Sequence, residues 1–350
     1  MKYSRLGSSP LEVSRICLGS MTWGVQNNQH DADEQINYAL SRGINFIDTA
    51  EMYAVPPSPD TYGKTEAIIG NWLKRHQEKR EKLVVATKIA GAGLPWIREG
   101  NAITGKAVIQ AVDDSLARLN TDYIDLYQLH WPNRTSPHFG KQWPGMLPLT
   151  ALNSDEEREG MLDILEGLAT CIQAGKINHW GLSDDTPWGI HTYLNLAKQH
   201  NLPKPVSIQN EFSLLHAKDW PYLIESCVNE DIAYLPWSPL ASGMLSGKYL
   251  GGARPEGSRW TLVQRQGLFR DTQLAQEAVA KYVDIANEFN MTSAQLALAW
   301  CNQVDGVTST IIGATTMAQL KENIHAFETP LCAEALAEID TVFKAYPAPF

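Results

Sequence analysis

The chain has 350 residues, a hydrophobic content of 44% and a net charge of −10. That length can bury a large core, and it suits a single α/β barrel as well as two smaller domains. The acidic balance argues against a nucleic-acid or anionic-membrane surface, which needs concentrated Lys and Arg.

Short β-rich runs alternate with longer segments of helical period along the whole chain. The sequence predicts strands at Ile16-Leu18, Ile44-Asp48, Leu83-Lys88, Tyr123-His130, Ile177-Ser183, Val206-Gln209, Ile232-Pro236 and Ser309-Ile312. Several are continuous apolar runs, as expected for parallel strands covered on both faces. Between the first two, Asp31 to Arg42 carries Ala32, Ile36, Ala39 and Leu40 on one stripe. Asp31 and Glu34 stand there at capping-box spacing, and Gly43 is a stop. Val108 to Leu119 forms a second stripe, and Leu162 to Ile172 a third, ended by Gly175. Thr292 and Gln295 repeat the capping signature. Residues 131–160 break this rhythm: they are rich in Pro, Gly, Trp and polar residues, with no helical period until Met161. A loop of that length is usually functional or mobile, and after the fourth strand of a barrel it hangs over the catalytic face. Trp131, Phe139 and Trp143 either wall the pocket or pack the loop on itself.

This pattern predicts a single-domain (β/α)8 TIM barrel over 1–350, with an N-terminal β-hairpin and a long loop after the fourth strand. An open doubly wound sheet would announce G-x-G-x-x-G after its first strand. The residues there, Gly19 to Gly24, do not fit that motif. No run reaches the ~20 apolar residues of a membrane span, and no apolar leader follows Met1-Lys2-Tyr3-Ser4-Arg5. The five cysteines include no C-x-x-C pair, and four of them sit among apolar neighbours, which reads as reduced thiols packed in a core. The expectation is a cytoplasmic protein, by default a monomer.

In such a barrel the chemistry sits where strands end, and the predicted strands finish at Asp48, Lys88, His130, Ser183, Gln209 and Trp237-Ser238. Asp48, Tyr53, Lys88 and His130 can work together. A lysine ammonium lowers the pKa of a nearby tyrosine, a carboxylate keeps that lysine charged, and a histidine aims a carbonyl. This set can protonate an oxygen on which charge develops, but it holds no strong nucleophile and needs a hydride from elsewhere. The histidines show no H-x-H or H-E-x-x-H spacing, so no metal site is expected. Neither a G-x-S-x-G elbow nor a P-loop is present.

The same residues carry a resemblance to a known family. Gly43-Ile44-Asn45-Phe46-Ile47-Asp48-Thr49-Ala50-Glu51-Met52-Tyr53 is similar to the G-x-N-x-x-D-T-A-x-x-Y segment of the aldo-keto reductases. Leu119 to His130 resembles that family's L-x-x-D-Y-x-D-L-x-x-x-H segment, and Lys88 follows the third strand as the family lysine does. Within the family the resemblance is greatest to the bacterial Tas-like proteins, through Ala50 to Pro57, Gly70-Asn71-Trp72-Leu73 and Ile312 to Thr316. The potassium-channel β subunits are more distantly similar.

The resemblance implies NADPH-dependent reduction of aldehydes or ketones, with Tyr53 as general acid and Asp48, Lys88 and His130 as its partners. It implies that Ser183, Asp184 and Gln209 meet the nicotinamide carboxamide and that Trp237 stacks on the ring. Ser238, Pro239, Leu240, Ala241, Ser242, Lys248 and Arg259 would follow the pyrophosphate. Gly313, Thr315, Gln319, Glu322 and Asn323 would surround the adenosine end, and Ser20 and Met21 would fall beside the cofactor.

Two positions depart from the family pattern. Asp184 stands where Asn is usual, adding a negative charge that would favour the oxidised ring. Gly313-Ala314 and Gln319 replace a Lys-Ser pair and an Arg that read a 2′-phosphate, which leaves NADH possible. The channel relatives share that Gln and bind the phosphorylated cofactor, which keeps NADPH ahead. An alternative is a cofactor-holding, redox-sensing regulator like those channel subunits, but they lack the family histidine that His130 supplies here.

Overall fold

Alternation of side chains along eight short parallel strands builds the centre of the molecule. The computed structural model describes residues 1–261 and 268–350. An antiparallel hairpin of β1 (Tyr3–Arg5) and β2 (Glu12–Ser14) comes first. The parallel strands are β3 (Ile16–Gly19), β4 (Phe46–Asp48), β5 (Val84–Ile89), β6 (Ile124–Leu129), β7 (Ile177–Ser183), β8 (Ser207–Glu211), β9 (Ala233–Trp237) and β10 (Thr310–Ile312). Each of the eight sequence-predicted strands is present. They pair in the order β10-β3-β4-β5-β6-β7-β8-β9. The stretch just before β10 joins the two ends: Tyr234 bridges Val307 in parallel, and the Thr308 N–H donates to the Tyr234 carbonyl at 2.9 Å. The sheet is thereby a (β/α)8 barrel.

The outer layer consists of α1 (Gln29–Ser41), α2 (Lys64–Arg75), α3 (Gly105–Leu119), α4 (Ser154–Gln173), α5 (Pro187–His200), α6 (Tyr222–Asn229), α7 (Gln273–Glu288), α8 (Ser293–Gln303), α9 (Met317–Ala326) and α10 (Ala333–Ala345). Outward residues such as Leu18, Ile47, Val85, Tyr127 and Ile208 pack with helix residues in one core. Inward residues Cys17, Phe46, Val84, Ala86, Leu126 and Leu235 cluster instead with Leu6 and Val13 of the hairpin, which floors the barrel. Two residues up the same inner faces, the period of two brings Asp48 after Phe46, Lys88 after Ala86 and Gln128 after Leu126. An apolar floor therefore lifts a polar layer to the end of the barrel where the βα loops begin.

Two local expectations are corrected. The capping box of α1 is Asn28 with Asp31, not Asp31 with Glu34: the Asn28 side chain accepts from the His30 and Asp31 N–H groups, and Asp31 accepts from the Asn28 N–H. The long loop ends at Asn153, because α4 starts at Ser154 on an Asn153 cap rather than near Met161. No residue of 154–160 is buried, so those turns carry no apolar period to read. Thr292 and Gln295 do form their capping box. Four of the five free cysteines are buried, with Cys332 exposed.

Candidate active site

Asp48 ends β4, Lys88 lies one residue before the end of β5, and His130 directly follows β6. The Lys88 ammonium reaches Asp48 Oδ2 at 2.6 Å and the Thr49 carbonyl at 2.8 Å. Asp48 Oδ1 accepts from the side-chain amides of Gln128 at 3.1 Å and Gln209 at 2.9 Å. Burial pulls the Lys88 pKa down, but the charges of Asp48 and Tyr53 and the Asp48 hydrogen bond outweigh it, and the net direction is up. The lysine is thus held as an ammonium inside the barrel.

Tyr53 stands over this pair, with its ring centroid 5.1 Å from Lys88 Nζ and 5.6 Å, edge-on, from the His130 ring. Burial raises the Tyr53 pKa, and Lys88 only partly offsets that rise. Lys88 does act downward as expected from sequence, but the net direction is up, so the phenol keeps its proton at neutral pH. His130 is held well below its ordinary pKa by burial and then by the Lys88 charge, so it is neutral. Its Nδ1 has no partner among the described residues. Glu51 fastens the Tyr53 loop to β5: its N–H donates to the Lys88 carbonyl at 3.1 Å, and its carboxylate accepts the Ala90 N–H at 2.6 Å.

The residues expected at a nicotinamide lie on one side of this cluster. Ser20 is buried and donates to the Asp48 carbonyl at 2.7 Å. Ser183 is buried at the end of β7. Gln209 turns its amide N–H groups to Asp48 and Gln128, which leaves its Oε1 as the acceptor that can face a ligand. Asp184, in left-handed backbone (φ 49°), accepts the Trp237 indole N–H at 2.9 Å. Burial raises the Asp184 pKa well above its ordinary value, so the negative charge expected there is opposed by its surroundings. Phe139 of the long loop tilts over Trp237, with ring centroids 5.7 Å apart, and Trp131 packs on His130 at 4.9 Å. Trp143 is exposed. Two of the three loop aromatics therefore wall the site.

Beyond β9, Ser238, Ala241, Ser242 and Gly243 all have positive φ (56°, 47°, 60° and 89°) in a tight turn. Pro239 and Leu240 complete this turn, and the Leu240 carbonyl accepts the Gly243 N–H at 2.8 Å. Arg259 and Arg270 each donate to Ser242 Oγ at 3.3 Å, and Arg259 also reaches Met21 Sδ at 3.4 Å. Burial and then the Arg270 charge lower the Arg259 pKa. Lys248 is exposed above Gly243.

At the other end, Gly313 to Thr316 leads from β10 into α9, whose N-cap is Thr316. The Asn323 side chain donates to the Gly313 carbonyl at 3.1 Å, and Gln319 Oε1 accepts from the Thr315 N–H at 2.9 Å. Glu322 is instead turned to Thr292 Oγ1 at 2.6 Å.

Sequence reasoning missed Gln128, Glu51, Arg270 and His138. Gln128 could have been found, since it precedes His130 by two residues on one strand. Arg270 and His138 lie in irregular segments that give no periodic signal.

A barrel with a polar Asp-Lys-His-Tyr cluster at its loop end defines a class, and the sequence comparisons agree with it. The chain belongs to the Aldo/keto reductase family, whose profile matches residues 15–344. It is thereby an oxidoreductase of a family that acts on carbonyl compounds with nicotinamide cofactors. Over its whole length it is 45% identical to Protein tas of Escherichia coli (strain K12), with all of both chains covered. It is 39% identical to a Babesia bovis protein named Aldo-keto reductase, over 70% of this chain and 89% of that one. Identity to Uncharacterized oxidoreductase YrpG of Bacillus subtilis (strain 168) is 31%, over 98% of this chain and 96% of that one.

Proposed function

We propose that the chain reduces aldehydes or ketones to alcohols with NADPH, with Tyr53 giving its phenolic proton to the carbonyl oxygen. The observation that carries this reading is the buried Asp48–Lys88 pair beneath a tyrosine that stays protonated at neutral pH. As negative charge develops on the substrate oxygen, the phenol donates to it and the Lys88 ammonium stabilises the tyrosinate left behind. His130, being neutral, offers a single N–H to the same oxygen and so sets its direction without competing as an acid.

The residues present fit a dinucleotide. Two arginines converge on Ser242 Oγ, and among the described residues no carboxylate bridges Arg259. Through the left-handed residues at 241–243 the Ala241, Ser242 and Gly243 N–H groups donate to Ser238 and Leu240, so the anion contacts there would come from the Arg259 and Lys248 side chains. Ser20, Met21, Ser183, Asp184, Gln209 and Trp237 would hold the nicotinamide, and Ser238 to Ser242 with Lys248 and Arg259 the pyrophosphate. Gly313, Thr315, Gln319, Glu322 and Asn323 would surround the adenosine end, where the N-terminus of α9 offers N–H groups to a phosphate. When bound, the cofactor supplies the hydride.

The test is stopped-flow oxidation of NADPH by an aromatic aldehyde. Tyr53→Phe should lose roughly 10²–10⁴-fold in turnover, the usual scale of acid–base catalysis, while still binding NADPH. A variant with wild-type turnover would remove Tyr53 as the donor.

A further inference from the structure

We infer that Asp184 and His138 share one proton and stand together, as a neutral pair, where relatives place a neutral asparagine beside the nicotinamide carboxamide. The carboxamide half of this inference rests on the cofactor reading above. The proton-sharing half rests on the geometry and burial of the two side chains.

His138 Nε2 faces the backbone carbonyl of Asp185 at 3.3 Å. A carbonyl only accepts, so Nε2 carries the hydrogen of the ring. The other nitrogen, Nδ1, lies 3.5 Å from Asp184 Oδ1, with both side chains at most 8% exposed. That oxygen already accepts the Trp237 indole N–H at 2.9 Å. Without a further hydrogen, a nitrogen lone pair would face a carboxylate oxygen in a site shielded from water. One proton placed between them, on the ring or on the carboxyl, removes this repulsion, and the pair then sums to zero charge either way. Burial pushes Asp184 well up and His138 down to about 4, which favours the hydrogen on the carboxyl.

The surrounding ionisable groups are engaged elsewhere. Asp185 pairs with Arg134, Glu211 with Arg270, and Lys88 with Asp48. Asp219 accepts from Asn210 and Tyr234, each at 2.8 Å. His216 stacks on Phe350, and Lys218 is exposed.

Two consequences follow. The substitution of Asp for Asn at 184 does not add a charge beside the ring, which reverses the reading made from sequence alone. His138 also becomes a positioning residue: its contact fastens the loop that carries Phe139 to the oxygen that orients Trp237. The substrate wall and the ring seat are thus tied through one carboxyl.

The test compares wild type, Asp184→Asn, His138→Leu and the double variant. Dissociation constants for NADPH and NADP+ are measured by tryptophan fluorescence between pH 5.5 and 8.5. Wild type should show an affinity ratio that is flat with pH. In His138→Leu the carboxyl proton loses its acceptor nitrogen, which disfavours the neutral acid and lowers the Asp184 pKa against the upward push of burial. As the carboxyl ionises with rising pH, the ratio should move roughly tenfold toward NADP+, the equivalent of one pKa unit. Adding Asp184→Asn should cancel that slope, since no carboxyl is left to ionise. A flat ratio in His138→Leu, or a slope that survives in the double variant, overturns the inference.

The second measurement uses cofactor-free protein. Imidazole ¹⁵N spectra of His138 should show a hydrogen on Nε2 and no titration across this pH range. A ring titrating near its ordinary value of 6.5 overturns the shared proton. A wild-type chain that binds no nicotinamide dinucleotide overturns the cofactor reading and the carboxamide half with it, while the imidazole spectra decide the shared proton independently.

Discussion

The Lys88 ammonium lies 2.6 Å from Asp48 Oδ2, and neither side chain is more than 3% exposed. The other carboxylate oxygen is already taken by Gln128 and Gln209. Asp48 is therefore fixed from both sides, and its partner cannot be removed quietly. Lys88→Met should strand a buried carboxylate and cost about 3–5 kcal/mol of stability, measured by urea unfolding. The double variant Asp48→Leu with Lys88→Met should recover much of that loss. Lys88 titrates above its ordinary value of 10.5 in the fold. Its contribution is therefore full below that value and fades only as pH rises past the folded pKa, so wild-type Lys88 contributes alike at pH 6 and pH 8.

Arg259 and Arg270 meet at Ser242 Oγ but differ in what else they hold. Arg270 donates to Glu211 Oε1 at 2.7 and 2.5 Å with both side chains buried, while the Arg259 side chain donates only to Ser242 and Met21 among the described residues. Arg259→Met should weaken NADPH about 10–100-fold, the worth of one charge-assisted hydrogen bond, with little change in Tm. Arg270→Met should also leave Glu211 charged and unpaired, at a cost of about 3–5 kcal/mol. Fluorescence titration and thermal unfolding of the two variants separate these effects.

His216 gives the fold an acid-sensitive point. Burial, then the charges of Lys218 and Arg270, hold its pKa down to about 3. The unfolded chain takes up the proton near pH 6.5 and the folded chain does not, so stability falls as pH drops from about 6.5 toward 3. His216→Phe keeps a ring against Phe350 and removes the titration. Relative to wild type it should gain several kcal/mol on going from pH 7 to pH 4, read from urea unfolding at each pH.

The barrel was legible because its strands are covered on both faces and so stand out as short apolar runs. The catalytic four were legible because Asp48, Lys88 and His130 close such runs and Tyr53 keeps a fixed spacing from Asp48. Other features are set by burial, which a sequence does not print. Lys88 does pull on the Tyr53 phenol, yet desolvation decides the direction. Asp184 reads as an added charge until His138, 46 positions earlier in the chain, is found facing it. The start of α4 was hidden for the opposite reason: none of its first seven residues is buried, and only the Asn153 cap and the acidic first turn mark it.

The helices that follow β5 and β6, the strands of Lys88 and Gln128, meet backbone to backbone. A Cβ built on Gly167 of α4 would lie 2.5 Å from the Gly105 carbonyl oxygen and 2.6 Å from the Gly105 Cα of α3. Neither atom can swing aside as a side chain would, so one helix must move. Gly167→Ala should therefore lose about 1–3 kcal/mol, the cost of overpacking, despite the ~1 kcal/mol that Ala gains over Gly within a helix. Gly160, on the same helix, has nothing within 4 Å of its built Cβ and is exposed. Gly160→Ala should accordingly stabilise by about 0.5–1 kcal/mol. Thermal and urea unfolding of the pair test the close approach directly. If both substitutions stabilise alike, the two helices part freely at Gly167 and the close approach costs nothing to lose.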